Sequence, residues 1–142
     1  MSEEFDRKSS FGWMVNVIAN QASKMFEAEL KKQGLTIALW PTLMCLWEEE
    51  GVTQSDISKK SKVENSTTTR TLDKLEKLEL VERQPDPNSR RSFRIYLTDE
   101  GRALKERLLP IPVAVNKELL SSLEPDEQKE MIRLLQKMVA AV

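Results

Sequence analysis

Apolar side chains recur at helical spacing between Phe11 and Lys32: Phe11, Met14, Val15, Ile18, Ala22, Met25, Phe26 and Leu30. This spacing predicts a long amphipathic helix with Gly34 as its C-cap. A second helix is predicted over about Thr36 to Glu49, carrying Leu39, Trp40, Leu43, Met44, Leu46 and Trp47, with Gly51 as its stop. Pro41 removes a backbone donor inside that span, so either the helix starts near Trp40 or its first turn is distorted.

Thr53 and Asp56 form a Thr-x-x-acid pair that opens a short helix, Gln54 to Lys60, in the manner of a capping box. A turn through Ser61 to Glu64 leads to the next helix, Asn65 to Glu79. There Thr68, Leu72 and Leu75 share one face, with Leu78 close by, while Ser66, Thr67, Arg70, Asp73, Lys74 and Lys77 lie away from it. Leu80 to Arg83 reads as a strand, Pro85-Asp86-Pro87-Asn88-Ser89 as a turn. Phe93, Ile95 and Leu97 then alternate with Ser92, Arg94 and Tyr96, the period of a half-buried returning strand.

Thr98 and Gly101 mark the start of a long helix, about Asp99 to Leu120, which Pro110 and Pro112 must kink or break. A final helix, about Asp126 to Ala140, carries Met131, Leu134, Leu135, Met138 and Val139, with Pro125 placed to suit its first turn. The fold class is therefore mainly α with a small β-hairpin. A short capped helix, a second helix rich in hydroxyls near its start and an arginine-tipped hairpin follow in the order of a winged helix-turn-helix.

The 142 residues suit one domain with a real core, and 4 Gly and 6 Pro argue against long flexible linkers. Three regions are expected within it: an N-terminal helix at 1–35, a DNA-binding lobe at 36–100 and C-terminal helices at 101–142. The formal net charge of -1 does not point to nucleic acid, but its distribution does. Between Ser58 and Arg94 stand 10 Lys/Arg and 6 Asp/Glu, whereas the remainder holds 12 and 17. The basic part thus falls on the hairpin and the two helices before it.

With one cysteine and no histidine, an internal disulfide and the usual Cys/His zinc sites are excluded by counting. No metal or cofactor is expected. The opening MSEEFDRK holds no apolar run like a signal peptide, and no stretch approaches the roughly 20 apolar residues of a membrane span. The expectation is a cytoplasmic protein without a membrane partner. Catalysis is the poorest reading: the commonest general base is missing, and no nucleophile elbow or phosphate loop appears.

At this point the chain resembles the MarR family of bacterial transcription regulators. The resemblance is carried by T-Q-S-D-I-S from Thr53, N-S-T-T-T-R-T-L-D-K-L-E from Asn65, L-V-E-R from Leu80, D-P-N-S-R-R from Asp86 and I-Y-L-T-D-E-G-R from Ile95. It implies a homodimeric repressor whose terminal helices interlock and whose two recognition helices enter successive major grooves of a pseudo-palindromic double-stranded operator. The terminal helices agree independently, since they are more apolar than one small winged helix can bury. The family usually carries Asp-x-Arg at its wing. Here Ser89 stands at the Asp position before Arg90 and Arg91, which implies a looser wing.

Arg70 is the first choice for base reading, because an arginine fork matches guanine O6 and N7. Asn65, Ser66 and Thr67 would contact bases or phosphates at the helix N-terminus; the plainer alternative is that they cap it. Thr68 faces inward. Lys74 on the recognition helix, Thr53, Ser55, Lys59, Lys60 and Lys62 before it, and Arg90 and Arg91 on the wing complete the expected DNA surface. Arg94 is either another wing contact or an ion-pair partner within the sheet. Trp13, Trp40, Met44 and Trp47 are either core or the wall of a cleft for a small aromatic or lipophilic effector, as the resemblance implies. Cys45, set among apolar neighbours, is expected to be a buried and inert thiol. The alternative function is a protein–protein assembly module on the same scaffold.

Overall fold

The computed structural model describes residues 4–142; the first three residues of MSEEFDRK lie outside it. Among the described residues the elements are α1 (Phe11–Lys32), α2 (Trp40–Glu48), β1 (Val52–Thr53), α3 (Gln54–Ser61), α4 (Asn65–Lys77), β2 (Val81–Asp86), β3 (Ser89–Leu97), α5 (Asp99–Leu108), α6 (Pro110–Leu119) and α7 (Pro125–Ala140). A short 3-10 turn precedes α1, and another, Ile37–Leu39, precedes α2. The architecture is mainly helical with one small antiparallel sheet. Two compact units are distinguished: the N-terminal stretch through Phe26 with Ile111–Val142, and Glu27–Pro110.

α1 ends where its glycine predicts. Gly34 is left-handed at φ 74°, its amide donates to Lys31 O at 3.0 Å and Leu35 donates to Leu30 O at 3.0 Å. That pair of bonds is a Schellman close. Pro41 falls in the first turn of α2, where a missing donor is harmless. This resolves the ambiguity in the sequence: the predicted helix from Thr36 is a 3-10 turn first and an α-helix only from Trp40. α4 closes by the same Schellman pattern, with Leu80 N on Leu75 O and Glu79 N on Glu76 O, both at 3.0 Å. Glu79 takes the left-handed position at φ 61° without being glycine, so the helix stops at Lys77 and Leu78 becomes its exposed C-cap rather than part of the buried face.

The sheet has the order β1-β3-β2, all antiparallel. β1 is a strand that the sequence pattern does not predict, because two residues are too few to show a period. It exists through its partner, pairing Val52 with Ile95 and Thr53 with Arg94. β2 runs on through Pro85 and Asp86, so the predicted turn shrinks to Pro87 and Asn88. The long helix after Thr98 is broken as its prolines require, with α5 ending at Leu108 and α6 beginning at Pro110.

The core lies in the Glu27–Pro110 unit. Leu39, Leu43 and Leu46, Ile57, Leu72 and Leu75, Val81, Ile95, Leu104 and Leu108 are all buried there. Each such side chain contributes about 1.5–3 kcal/mol relative to an exposed one. Glu50 fastens the start of α5 to the end of β3: its carboxylate accepts from Leu97 N at 2.8 Å and from both Nε and a terminal nitrogen of Arg102 at 3.0 Å. These bonds hold its carboxyl below the ordinary carboxylate range, the Arg102 contact foremost.

Gly101 is the tightest point. Its amide donates to the capping Thr98 Oγ1 at 3.1 Å, and its carbonyl accepts the Trp47 indole N–H at 3.0 Å. A Cβ there would stand 2.2 Å from the Leu80 carbonyl oxygen, so backbone must move. Gly101→Ala is expected to lower unfolding stability by about 1–3 kcal/mol, read by denaturant unfolding at fixed protein concentration. A loss within the fitting error would show that the first turn of α5 shifts freely.

Candidate nucleic-acid interface

The interface is built from helix ends. Thr53 caps α3 by accepting from Asp56 N at 3.2 Å, and Asp56 Oδ2 accepts from Thr53 N at 3.1 Å, completing the predicted capping box. These bonds hold the Asp56 carboxyl below its ordinary value, the one from Thr53 N first. α3 ends at Lys62, left-handed at φ 57°, and the chain re-enters helix at Asn65.

α4 opens differently. Its N-cap, Glu64, makes no side-chain cap bond. Neither Ser66 nor Thr67 closes the end, while Thr68 Oγ1 donates back to Glu64 O and Thr69 Oγ1 to Asn65 O. The capping alternative for Ser66 and Thr67 therefore does not describe this helix: both stand exposed at an uncapped positive end. Thr68 is buried as expected, together with Thr71, Leu72 and Leu75.

Three further side chains fix α4, and the sequence pattern marks none of them. The Gln54 side-chain amide donates to Asn65 O at 3.3 Å, to Asn65 Oδ1 at 3.2 Å and to Thr69 Oγ1. Ser58 Oγ adds bonds to Asn65 Oδ1 at 3.2 Å and Thr68 Oγ1 at 2.8 Å. The Asn65 side chain thus joins α3 to α4 through its oxygen. On the other side Arg83 of β2 pairs with Asp73 at 2.8 Å and Glu76 at 3.7 Å, and donates to Thr69 O at 3.4 Å. The common face of Asp73 and Glu76, three residues apart, was a legible signal; that a strand arginine would meet it was not.

The structure sorts the predicted cations. Among the described residues, none makes a hydrogen bond or ion pair with the side chains of Arg70, Lys74, Arg90 or Arg91, and all four are exposed. Lys59 is exposed likewise. Lys60, by contrast, holds Glu48 at 2.5 Å, and this bond raises its pKa. Arg94 resolves its two readings toward the sheet: Nε lies 3.3 Å from Asp86 Oδ1 and a terminal nitrogen donates to Gly51 O at 2.7 Å. Lys62 sits at the α3 C-cap and Ser55 is exposed in the first turn of α3.

Between these elements lies a cleft of about 380 Å³, lined by Thr53, Gln54, Ser55 and Asn65 on the helical side and by Arg83, Arg91, Ser92 and Phe93 on the hairpin side. Helix starts, wing and an unpaired arginine thus meet on one surface.

The tryptophans divide. Trp40 and Trp47 meet edge to face, centroids 5.3 Å apart, with the Trp47 N–H spent on Gly101. Met44 is exposed beside them. Trp13 belongs to the other unit, where the Arg7 guanidinium lies 4.5 Å above its ring. Cys45 is buried, and burial raises its pKa, with the Lys60 charge opposing. No group of three His, Cys, Asp or Glu residues among the described ones is placed to hold a metal ion, and no helix there is long and apolar enough to cross a membrane.

Residues 35–93 match the MarR family. Over 95% of this chain and 85% of the relative, the sequence is 25% identical to the HTH-type transcriptional repressor NicR of Pseudomonas putida. The structure superimposes on the Staphylococcus aureus MepR–DNA complex with a TM-score of 0.85 at 26% identity, covering 98% of this chain and 100% of that one. A MarR-family regulator from Silicibacter pomeroyi gives a TM-score of 0.83 at 29% identity, over 99% and 97% of the two chains. These relatives are transcription regulators, not enzymes.

Asp56 and Glu50 have depressed folded pKa values, so their contribution to stability is complete above the ordinary carboxylate range near about 4 and is lost as pH falls through the lower folded values. Asp56→Asn should therefore lower stability at neutral pH and flatten the acid limb of the unfolding curve, measured between about pH 2 and pH 6. An acid limb identical to that of the parent would remove the capping box as its source.

Proposed function

Because this chain belongs to the MarR family of winged-helix transcription regulators, we propose that it is a homodimeric repressor reading double-stranded DNA through α4 and the β2–β3 hairpin. The observation that carries this reading is the uncapped start of α4. Ser66 and Thr67 stand exposed there, Arg70 one turn on is unpaired, and the wing arginines Arg90 and Arg91 are unpaired as well. Free N–H groups at a positive helix end suit a phosphate, and an unpaired guanidinium suits guanine. Lys59, Lys74, Ser55 and Lys62 are assigned to the phosphates around that centre. Thr53 and Asn65 serve first to shape the helices, and Lys60 reaches DNA only by leaving Glu48.

The second subunit is supported by what one chain leaves uncovered. In the unit formed by the terminal segments, Phe11, Val17 and Ile18 of α1, Val113 of α6, and Met131, Ile132, Leu134, Met138 and Val139 of α7 are each more than 40% exposed. Val115 is the one apolar residue of that unit, among those described, that is buried. So much uncovered apolar surface is unusual for a monomer, and a second copy burying it gives a two-fold dimer. Such a dimer would place two α4 helices on a pseudo-palindromic operator in the cytoplasm. Met44, with the neighbouring Trp40 and Trp47, is assigned to the binding of a small aromatic or lipophilic effector that lowers DNA affinity.

Selection from a randomised duplex pool tests the reading. An inverted repeat with half-sites about one helical turn apart is the expected outcome; no enrichment would favour the assembly-module alternative. On the selected site Arg70→Ala should cost about 1–3 kcal/mol and relax preference at one base pair. Arg91→Ala should lower the salt slope by about one phosphate contact. Equal loss on all sequences would recast Arg70 as a phosphate contact, and an unchanged slope would remove Arg91 from the interface. Ile18→Asp should shift the chain toward monomer in sedimentation velocity, and a parent chain that already sediments as a monomer at micromolar concentration would sink the dimer.

A further inference from the structure

The side chain of Asp86 is only 7% exposed although it sits at the base of the hairpin tip. A carboxylate withdrawn from water is costly unless its lone pairs are filled, and here they are. Oδ1 accepts from Asn88 N at 3.0 Å and from Arg94 Nε at 3.3 Å, and Oδ2 accepts from Ser92 Oγ at 3.0 Å. Asn88 lies in the turn and Ser92 and Arg94 lie beyond it on β3, so the carboxylate of a β2 residue reaches across the hairpin.

The hairpin needs such a clasp at this place. β2 and β3 pair in regular register down to Pro85 opposite Phe93, and then the register shifts so that Asp86 faces Ser89. Arg90, Arg91 and Ser92 therefore have no opposite number on β2. Pro85 and Pro87 flank Asp86 and have no N–H to offer. Ser89 supplies a single weak bond, its Oγ accepting from Arg91 N at 3.3 Å. From Asp86 the network continues inward, because Arg94 also donates to Gly51 O at 2.7 Å and Gly51 N donates to Ile95 O at 2.8 Å. Gly51 sits at φ 75° against the Tyr96 ring, so this anchor is itself fixed.

We propose that Asp86 is the positioning residue of the wing: its carboxylate closes the tip over Pro87–Arg91, so that Arg90 and Arg91 are held ready for DNA rather than ordered on binding. The DNA part of this inference rests on the reading given above; the ordering of the tip does not. Ordering two long side chains and their loop only on binding weakens association, and Asp86 removes that cost in advance.

The sign of the effect separates this role from simple charge. Asp86 is a negative charge beside the arginines of the interface. If it acted only through Coulomb repulsion of phosphate, deleting it would tighten DNA binding and steepen its salt dependence. A positioning role predicts the reverse.

The test uses the full chain and the variants Asp86→Ala, Asp86→Asn and Ser89→Ala. Without DNA, amide hydrogen exchange at Asn88, Arg91 and Ser92 is expected to quicken about tenfold or more in Asp86→Ala, with core amides of α4 unchanged. Asp86→Asn keeps an acceptor for Asn88 N and should fall between it and the parent, while Ser89→Ala should affect Arg91 alone. On the selected duplex, Asp86→Ala should bind roughly tenfold more weakly, again with Asp86→Asn between.

Wing exchange unchanged in Asp86→Ala would overturn the proposal. So would exchange quickened equally throughout the chain, or tighter DNA binding with a steeper salt slope. Should no duplex be enriched by the parent, the DNA reading fails, and the exchange measurement still decides whether Asp86 orders the tip.

Discussion

Everything in the winged-helix lobe depends on α4 being held on one side only. Thr68, Thr71, Leu72 and Leu75 are buried along one stripe, and α2, α3 and β2 all pack against that helix. The two leucines alone contribute about 3–6 kcal/mol of burial, a large share of the stability of a small domain. Burial of this stripe decides that Ser66, Thr67, Arg70 and Lys74 face outward. No feature of the outer residues is needed to aim them; the inner ones do it.

Polar bonds then refine the aim. Gln54 and Ser58 hold the first turn of α4 from one side, and Arg83 holds its middle from the other through Asp73 and Thr69 O. Single surface ion pairs are worth little, but Arg83 is well covered and spans helix and strand, so its value is geometric. The basic residues thus fall into two kinds. Arg83 and Arg94 are committed to carboxylates inside the lobe, while Arg70, Arg90 and Arg91 are left uncommitted. Charge counting cannot separate the two, because both carry the same formal charge on the same stretch of chain.

The unit formed by the terminal segments obeys the opposite rule. Its apolar residues follow helical spacing as strictly as those of α4, yet in the single chain most of them remain exposed. The pattern is that of a helix with a buried face, and the face lacks its cover. The hydrophobic burial that holds the core of the other unit together is thus largely unmet on these helices in the single chain.

The helices were legible because their signals are local. The period over Phe11–Leu30, the Thr53–Asp56 box, Gly34 and the pair Pro110 and Pro112 each act within a few residues, and the structure places α1, α3 and the α5–α6 break accordingly. The winged helix-turn-helix order and the exposure of Arg70, Arg90 and Arg91 followed from the same signals. What the sequence could not decide were pairings between distant residues. β1 exists only because Val52 and Thr53 meet β3, and β2 reaches Asp86 only because Pro85 has Phe93 opposite it. Arg94 turns inward because Asp86 and Gly51 are there to receive it, and Ser66 and Thr67 do not cap α4 because the helix begins at Asn65, which leaves the N-cap position to Glu64 and both hydroxyls inside the first turn. Periodicity records which face of an element avoids water; which particular group waits on the other side is a property of the folded chain alone.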